Sequence, residues 1–116
     1  MVRSARIGSE QGPELELRVA GEAPSVLFVH GACCQAIVWD SLMLALLDLG
    51  IASAALSLRG HGGSQGTEHL QQYRIEHYVQ DVLQTLPSLV QPVTLVGHSM
   101  GGLVCQLAAT KPVSGA

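Results

Sequence analysis

The chain has 116 residues, room for one domain, and its 47 % hydrophobic content is enough to build a core. Charged residues are only 13 %, against a typical ~25 %, which suits an α/β protein whose strands are buried on both faces, and equally a piece of a larger protein. The net charge of −3, with Lys and Arg scattered along the chain, excludes a basic nucleic-acid footprint.

Met1 to Glu16 has no apolar core of the ~7–15 residues that a signal peptide needs, and no stretch approaches the ~18 apolar residues of a membrane span. Arg3 to Ile7 and Glu14 to Val19 read as two strands joined by a turn region from Gly8 to Gly12, forming an antiparallel hairpin at the sheet edge. In the second strand Leu15, Leu17 and Val19 face one side, and Glu14, Glu16 and Arg18 the other. Ser25 to Val29 is a short apolar strand. A helix is predicted from about Trp39 to Leu49, with Asp40 or Ser41 near its cap and Gly50 as its stop. Leu42 to Leu47 is apolar nearly all round, which predicts burial on more than one side.

Ile51 to Leu56 is the next strand, and a glycine-rich loop runs from Arg59 to Gly66. Tyr78, Val79, Val82, Leu83 and Leu86 sit at helical spacing, so a helix covers about Ile75 to Leu86, with Pro87 just after it. Val93 to Val96 is a strand, Ser99 or Met100 to Thr110 a helix ended by Pro112, and Val113 to Ala116 reads as the start of a further strand. Strands alternating with helices indicate a mainly parallel sheet with helices on both faces.

Cys33, Cys34 and Cys105 make an odd count without a disulfide framework, which favours a reducing cytoplasm. Cys33 and Cys34 lack a second Cys/His cluster at metal spacing, so no zinc or other metal is expected; the three read as small buried apolar residues. No motif calls for a cofactor.

The densest chemical signal is Gly97-His98-Ser99-Met100-Gly101, lengthened by Gly102. An apolar strand precedes it and a helical pattern follows, the context in which G-x-S-x-G marks a nucleophilic serine on a sharp turn. The turn demands strained dihedrals at Ser99 and room that a Cβ on either flanking glycine would take away. Two further signals accompany it: His30-Gly31 after the run Val26 to Val29, and Arg59-Gly60-His61-Gly62-Gly63-Ser64 after the run Ile51 to Leu58.

In order and spacing these segments resemble the α/β-hydrolase family, over nearly the whole chain from about Leu15 to Ala116. The resemblance implies a Ser99 nucleophile that forms an acyl-enzyme on a carboxylic ester, thioester or related acyl or C–C substrate. It implies an oxyanion hole from the backbone N–H groups of Ala32 and Met100, with His30, Gly31, Gly97, His98 and Gly101 as structural neighbours. A serine in place of an aspartate points away from haloalkane dehalogenases and epoxide hydrolases, toward esterases, lipases, thioesterases and carbon–carbon bond hydrolases. Ser57 departs from the family, many of whose members have an acidic residue two positions before the loop arginine.

His61 reads as a brace of its loop, His98 as aimed away from the Ser99 hydroxyl, and His69 and His77 as solvated or packed. The family's triad order is Ser, acid, His, yet residues 100–116 contain no Asp, Glu or His. Asp40, Asp48 and Asp81 lie upstream on helices. The expectation is therefore the N-terminal part of one hydrolase domain, without later strands, lid, acid and base, and with a sheet edge that self-associates. The alternative is a truncated, non-catalytic protein with a binding role. For Cys33 to Trp39 the residues fit an acyl pocket, but the core is the favoured place for Ile37, Val38 and Trp39.

Overall fold

The computed structural model describes residues 1–8 and 12–111. Its strands are β1 (Val2–Ile7), β2 (Leu15–Ala20), β3 (Val26–Val29), β4 (Ser53–Leu56) and β5 (Thr94–Gly97), and its α-helices α1 (Asp40–Asp48), α2 (Ile75–Thr85) and α3 (Met100–Ala109). They form one mixed sheet in the order β1-β2-β4-β3-β5. The hairpin β1–β2 and the β2–β4 pairing are antiparallel, whereas β4, β3 and β5 run parallel. The suggested strand at Val113 to Ala116 lies outside the described residues.

The alternation in β2 sets its faces as the sequence predicts. Leu15, Leu17 and Val19 are buried in the larger core, with Leu27, Val29, Leu56, Val82 and Val104 beneath α2 and α3. Phe28, Ala55 and Met43 make a smaller core under α1 on the other face. Burying side chains the size of Phe28 or Met43 is worth about 1.5–3 kcal/mol each.

The α1 end shows turn chemistry at work. Gly50 has φ 82°; its N–H donates to the Leu47 carbonyl, and the Ile51 N–H reaches back to Leu46 at 2.9 Å. This is a Schellman stop, and it takes Ile51 out of the strand predicted to begin there; Ile51 is 40 % exposed and β4 starts at Ser53. One expectation for α1 is corrected. Only Met43 is fully buried, while Leu42 and Leu44 face solvent, so a single stripe packs on the sheet. Asp40 is the first residue of α1, next to the N-cap Trp39, and its carboxylate makes a two-pronged bond with Arg18 of β2 at 2.7 and 2.6 Å.

The connections position the site. From β3 the chain passes through α1 to β4 on one side, then through α2 to β5 on the other. A crevice opens outside the carboxyl ends of strands where the strand order reverses in this way. The ends of β3 and β5 lie in register there, Val29 opposite Gly97, and the His98 N–H extends the ladder to the Val29 carbonyl at 3.1 Å.

Candidate active site

Ser99 sits between β5 and α3 with φ 56° and ψ −121°, and it is exposed. A side chain in left-handed backbone of this kind costs about 1–3 kcal/mol and persists only where the surroundings impose it. The flanking glycines are the means of imposing it. A Cβ on Gly97 would lie 2.6 Å from Gly101 C and Gly102 Cα; one on Gly101 would run into the Val29 carbonyl oxygen and come within 2.5 Å of that of His30. The helix start is thus pressed directly onto the end of β3.

The segment after β3 meets the turn from the other side. A Cβ on Gly31 would stand 3.2 Å from both Ser99 Cβ and His98 Nδ1. The Cys34 N–H bonds the Gly31 carbonyl at 3.2 Å and closes a turn, with Cys33 in left-handed backbone at φ 62°. Among the described residues, neither the Ala32 nor the Met100 N–H has a hydrogen-bond partner. Met100 is the first residue of α3, where N–H groups have no partner within the helix.

His30 is fully buried and both its ring nitrogens are occupied. The Leu58 N–H donates to Nε2 at 3.0 Å, so Nδ1 carries the proton and donates to the Gly31 carbonyl at 2.6 Å. Burial is the chief cause of a pKa below the usual histidine range. A neutral ring with no free nitrogen joins the β3 and β4 loops and cannot serve as a base. His61 packs beside it at 5.0 Å between ring centroids, and its Nδ1–H donates to the Arg59 carbonyl at 2.9 Å. Among the described residues, no hydrogen bond joins His61 or His98 to the Ser99 hydroxyl. His98 is exposed, His69 is exposed beyond the loop, and the Nδ1 of His77 accepts the Arg74 N–H at the start of α2.

Two anchors of the loop after β4 were missed in the sequence, since each joins residues far apart in the chain. Asp81 of α2, fully buried, accepts from Arg59 Nε at 2.9 Å and from the Arg59 N–H at 2.8 Å. Burial raises its carboxyl above the usual range, and the Arg59 bonds oppose that rise. The second anchor is Glu16 of β2, which accepts from the Ser57 hydroxyl at 2.8 Å and the Gly63 N–H at 3.0 Å. Where relatives were expected to have an acidic side chain, this protein has a serine that contacts a carboxylate from the neighbouring strand.

Two further expectations are corrected. Of the three cysteines only Cys105 is buried, its thiol pushed up to about 11; Cys33 is exposed and Cys34 half-buried. The turn places them on the surface segment beside Ser99. Trp39 stacks on Phe28 at 4.7 Å, but Ile37 and Val38 are 50 % and 58 % exposed and do not belong to the core.

A serine-bearing turn at a sheet switch point, flanked by a glycine-led loop, defines the class of the protein. A family model described as the alpha/beta hydrolase family matches residues 26–116. The chain is 33 % identical over 95 residues to a non-heme chloroperoxidase of Kitasatospora aureofaciens, covering 81 % of this chain and 34 % of that protein. It is 34 % identical over 98 residues to a 2-(acetamidomethylene)succinate hydrolase of Mesorhizobium japonicum, covering 84 % and 34 %. A thioesterase domain from the curacin biosynthetic pathway superposes with a TM-score of 0.86 at 29 % identity, covering 95 % of this chain and 42 % of that one. An epoxide hydrolase from Vigna radiata does so with 0.79 at 32 % identity, covering 95 % and 35 %. The chain belongs to the alpha/beta hydrolase family. It spans about a third of the length of these curated relatives.

Proposed function

We propose that this chain is the N-terminal part of a cytoplasmic serine hydrolase domain that cleaves a small carboxylic ester, thioester or related acyl or C–C substrate. The observation that carries the reading is the exposed Ser99 in left-handed backbone at the head of α3, beside the unpartnered Met100 and Ala32 N–H groups. Ser99 Oγ attacks the carbonyl carbon, and its proton passes to a base. The two N–H groups receive the developing oxyanion, a term worth about 3–4 kcal/mol per donor in serine hydrolases. The carbonyl re-forms as the leaving group departs with a proton, which leaves an acyl ester on Ser99. Water attacks that ester and releases the acid. Exposed Ile37 and Val38, on the segment that follows Ala32, suit an apolar acyl group.

The base and its acid partner are not among residues 100–116, where the family order would place them. Removing the histidine of a serine hydrolase costs about 10⁶ in turnover and leaves about 10³–10⁴ over water. The 116-residue chain alone is therefore expected to hydrolyse p-nitrophenyl acetate little faster than its Ser99→Ala version. Self-association fits the same reading: β5 is an edge strand among the described residues, and Leu103 and Leu107 of α3 are 47 % and 38 % exposed. The second reading is a non-catalytic protein with at most a binding role.

The test is the gene product at its natural length. A fluorophosphonate should form a covalent adduct on Ser99, mapped by mass spectrometry and lost in Ser99→Ala. Absence of that adduct sinks the catalytic reading and leaves the binding one.

A further inference from the structure

One hydroxyl and one carboxylate join three segments from distant parts of the chain. The buried Ser57 Oγ accepts the Ala36 N–H at 2.9 Å and donates to Glu16 Oε1 at 2.8 Å. The same carboxylate oxygen accepts the Gly63 N–H at 3.0 Å. Below them the Ser64 hydroxyl accepts the Glu16 N–H at 2.8 Å and donates to the Ser57 carbonyl at 2.6 Å. Each hydroxyl has one proton to give, and both protons are used.

Ala36 is the downstream anchor of the segment that carries Ala32. The upstream anchor is Gly31, held by His30 Nδ1–H and by the Cys34 N–H. Between the anchors Ala32 and Cys33 are exposed. A serine hydroxyl rotates freely, so what it donates to decides where its lone pairs point. With its proton drawn to Glu16, Ser57 presents a lone pair to the Ala36 N–H.

We propose that Glu16 and Ser57 are a positioning pair, which sets the Ala32 N–H toward the oxyanion that forms on Ser99. This rests on the reading of Ala32 as an oxyanion donor. Without the Ser57 bond the Ala36 N–H is released and the next downstream holds are Trp39 on Phe28 and Asp40 on Arg18, so the donor loses its aim while Ser99 keeps its own geometry.

The experiment has two arms. In the 116-residue chain, hydrogen exchange is read across residues 31–39 by fragmentation mass spectrometry, with α2 as the internal reference. In the full-length gene product, the rate of Ser99 modification by a fluorophosphonate is resolved into reversible binding and the bond-forming step. Ser57→Ala and Glu16→Ala should raise exchange in the segment about tenfold with α2 unchanged. They should slow the bond-forming step about tenfold with binding unchanged. Glu16→Gln keeps an acceptor oxygen and should restore both. If Ser57→Ala exposes α2 as well, and so fails to fold, Ser57→Cys, of similar size and a weaker acceptor, takes its place. An adduct formed at the unaltered rate in Ser57→Ala or Ser57→Cys overturns this proposal alone. No adduct on Ser99 in the unsubstituted protein overturns the serine reading and this one with it.

Discussion

Two glycine-rich segments flank the site, and they need glycine for different reasons. In the turn from Gly97 to Gly102 the need is space: the two glycines next to Ser99 and Met100 face main-chain atoms of the same turn and of β3. In the loop from Gly60 to Gly66 the need is mostly conformation, since Gly60, Gly62 and Gly66 have φ of 76°, 50° and 103°. Their close neighbours are chiefly the side chains of Tyr73, Leu70, Ser57 and Glu16. Backbone cannot step aside, whereas side chains rotate. The first segment is therefore rigid by exclusion, and the second is held by bonds that can be cut singly.

The largest expected effect tests that contrast directly. Gly101→Ala should cost about 4 kcal/mol or more, because overpacking against a strand carbonyl forces the sheet or α3 to move. Gly60→Ala should cost about 1–2 kcal/mol, the penalty of left-handed backbone for an alanine. Urea unfolding followed by circular dichroism measures both, and equal losses would erase the distinction. Next comes Asp81→Ala, which leaves the Arg59 guanidinium, 11 % exposed, without its carboxylate. A loss of about 3–4 kcal/mol is expected, the lower part of the range for broken buried pairs because Arg59 keeps some access to water. A loss below about 1 kcal/mol would mean that the loop does not depend on this bond.

A smaller effect of opposite sign belongs to the turn. Ser99→Gly should raise stability by about 1 kcal/mol, since glycine adopts φ 56° without the penalty, while abolishing fluorophosphonate labelling. A destabilised Ser99→Gly protein would show that the backbone there is not strained.

The smallest effect is a pH dependence centred on His30, whose ring joins the Gly31 carbonyl to the Leu58 N–H. Its folded pKa lies below the ordinary 6.5, so the unfolded chain binds the proton more readily. The contribution is complete above about pH 6.5 and is lost as the pH falls from there toward the folded value. The urea midpoint should therefore decline between pH 7.5 and 5.5. Protection factors in the Gly31 to Ala36 segment, corrected for the intrinsic pH dependence of amide exchange, should fall over the same interval. A flat midpoint would mean that the ring is not held neutral.

Much of this was legible beforehand. The strand before Ser99, the helix after it and the need for glycine beside it follow from a few adjacent residues. The β2 alternation placed Leu15, Leu17 and Val19 inside, and Gly50 marked the end of α1. The failures share one cause. The apolar Leu42 to Leu47 run looked buried on more than one side, and Cys33 and Cys34 looked like small core residues. Each depends on what another part of the chain brings alongside: one face of the sheet for α1, a turn at the surface for the cysteines.

Sequence by itself determined the local elements and the serine-bearing turn, because hydrophobic period, turn residues and composition are written in neighbouring letters. Only the tertiary structure decided that β3 lies between β4 and β5, so that Gly31 meets Ser99. It alone showed that Asp81 neutralises Arg59 and that Glu16 reaches Ser57. Those contacts join residues 22 to 68 positions apart, and no local pattern encodes which strand becomes whose neighbour.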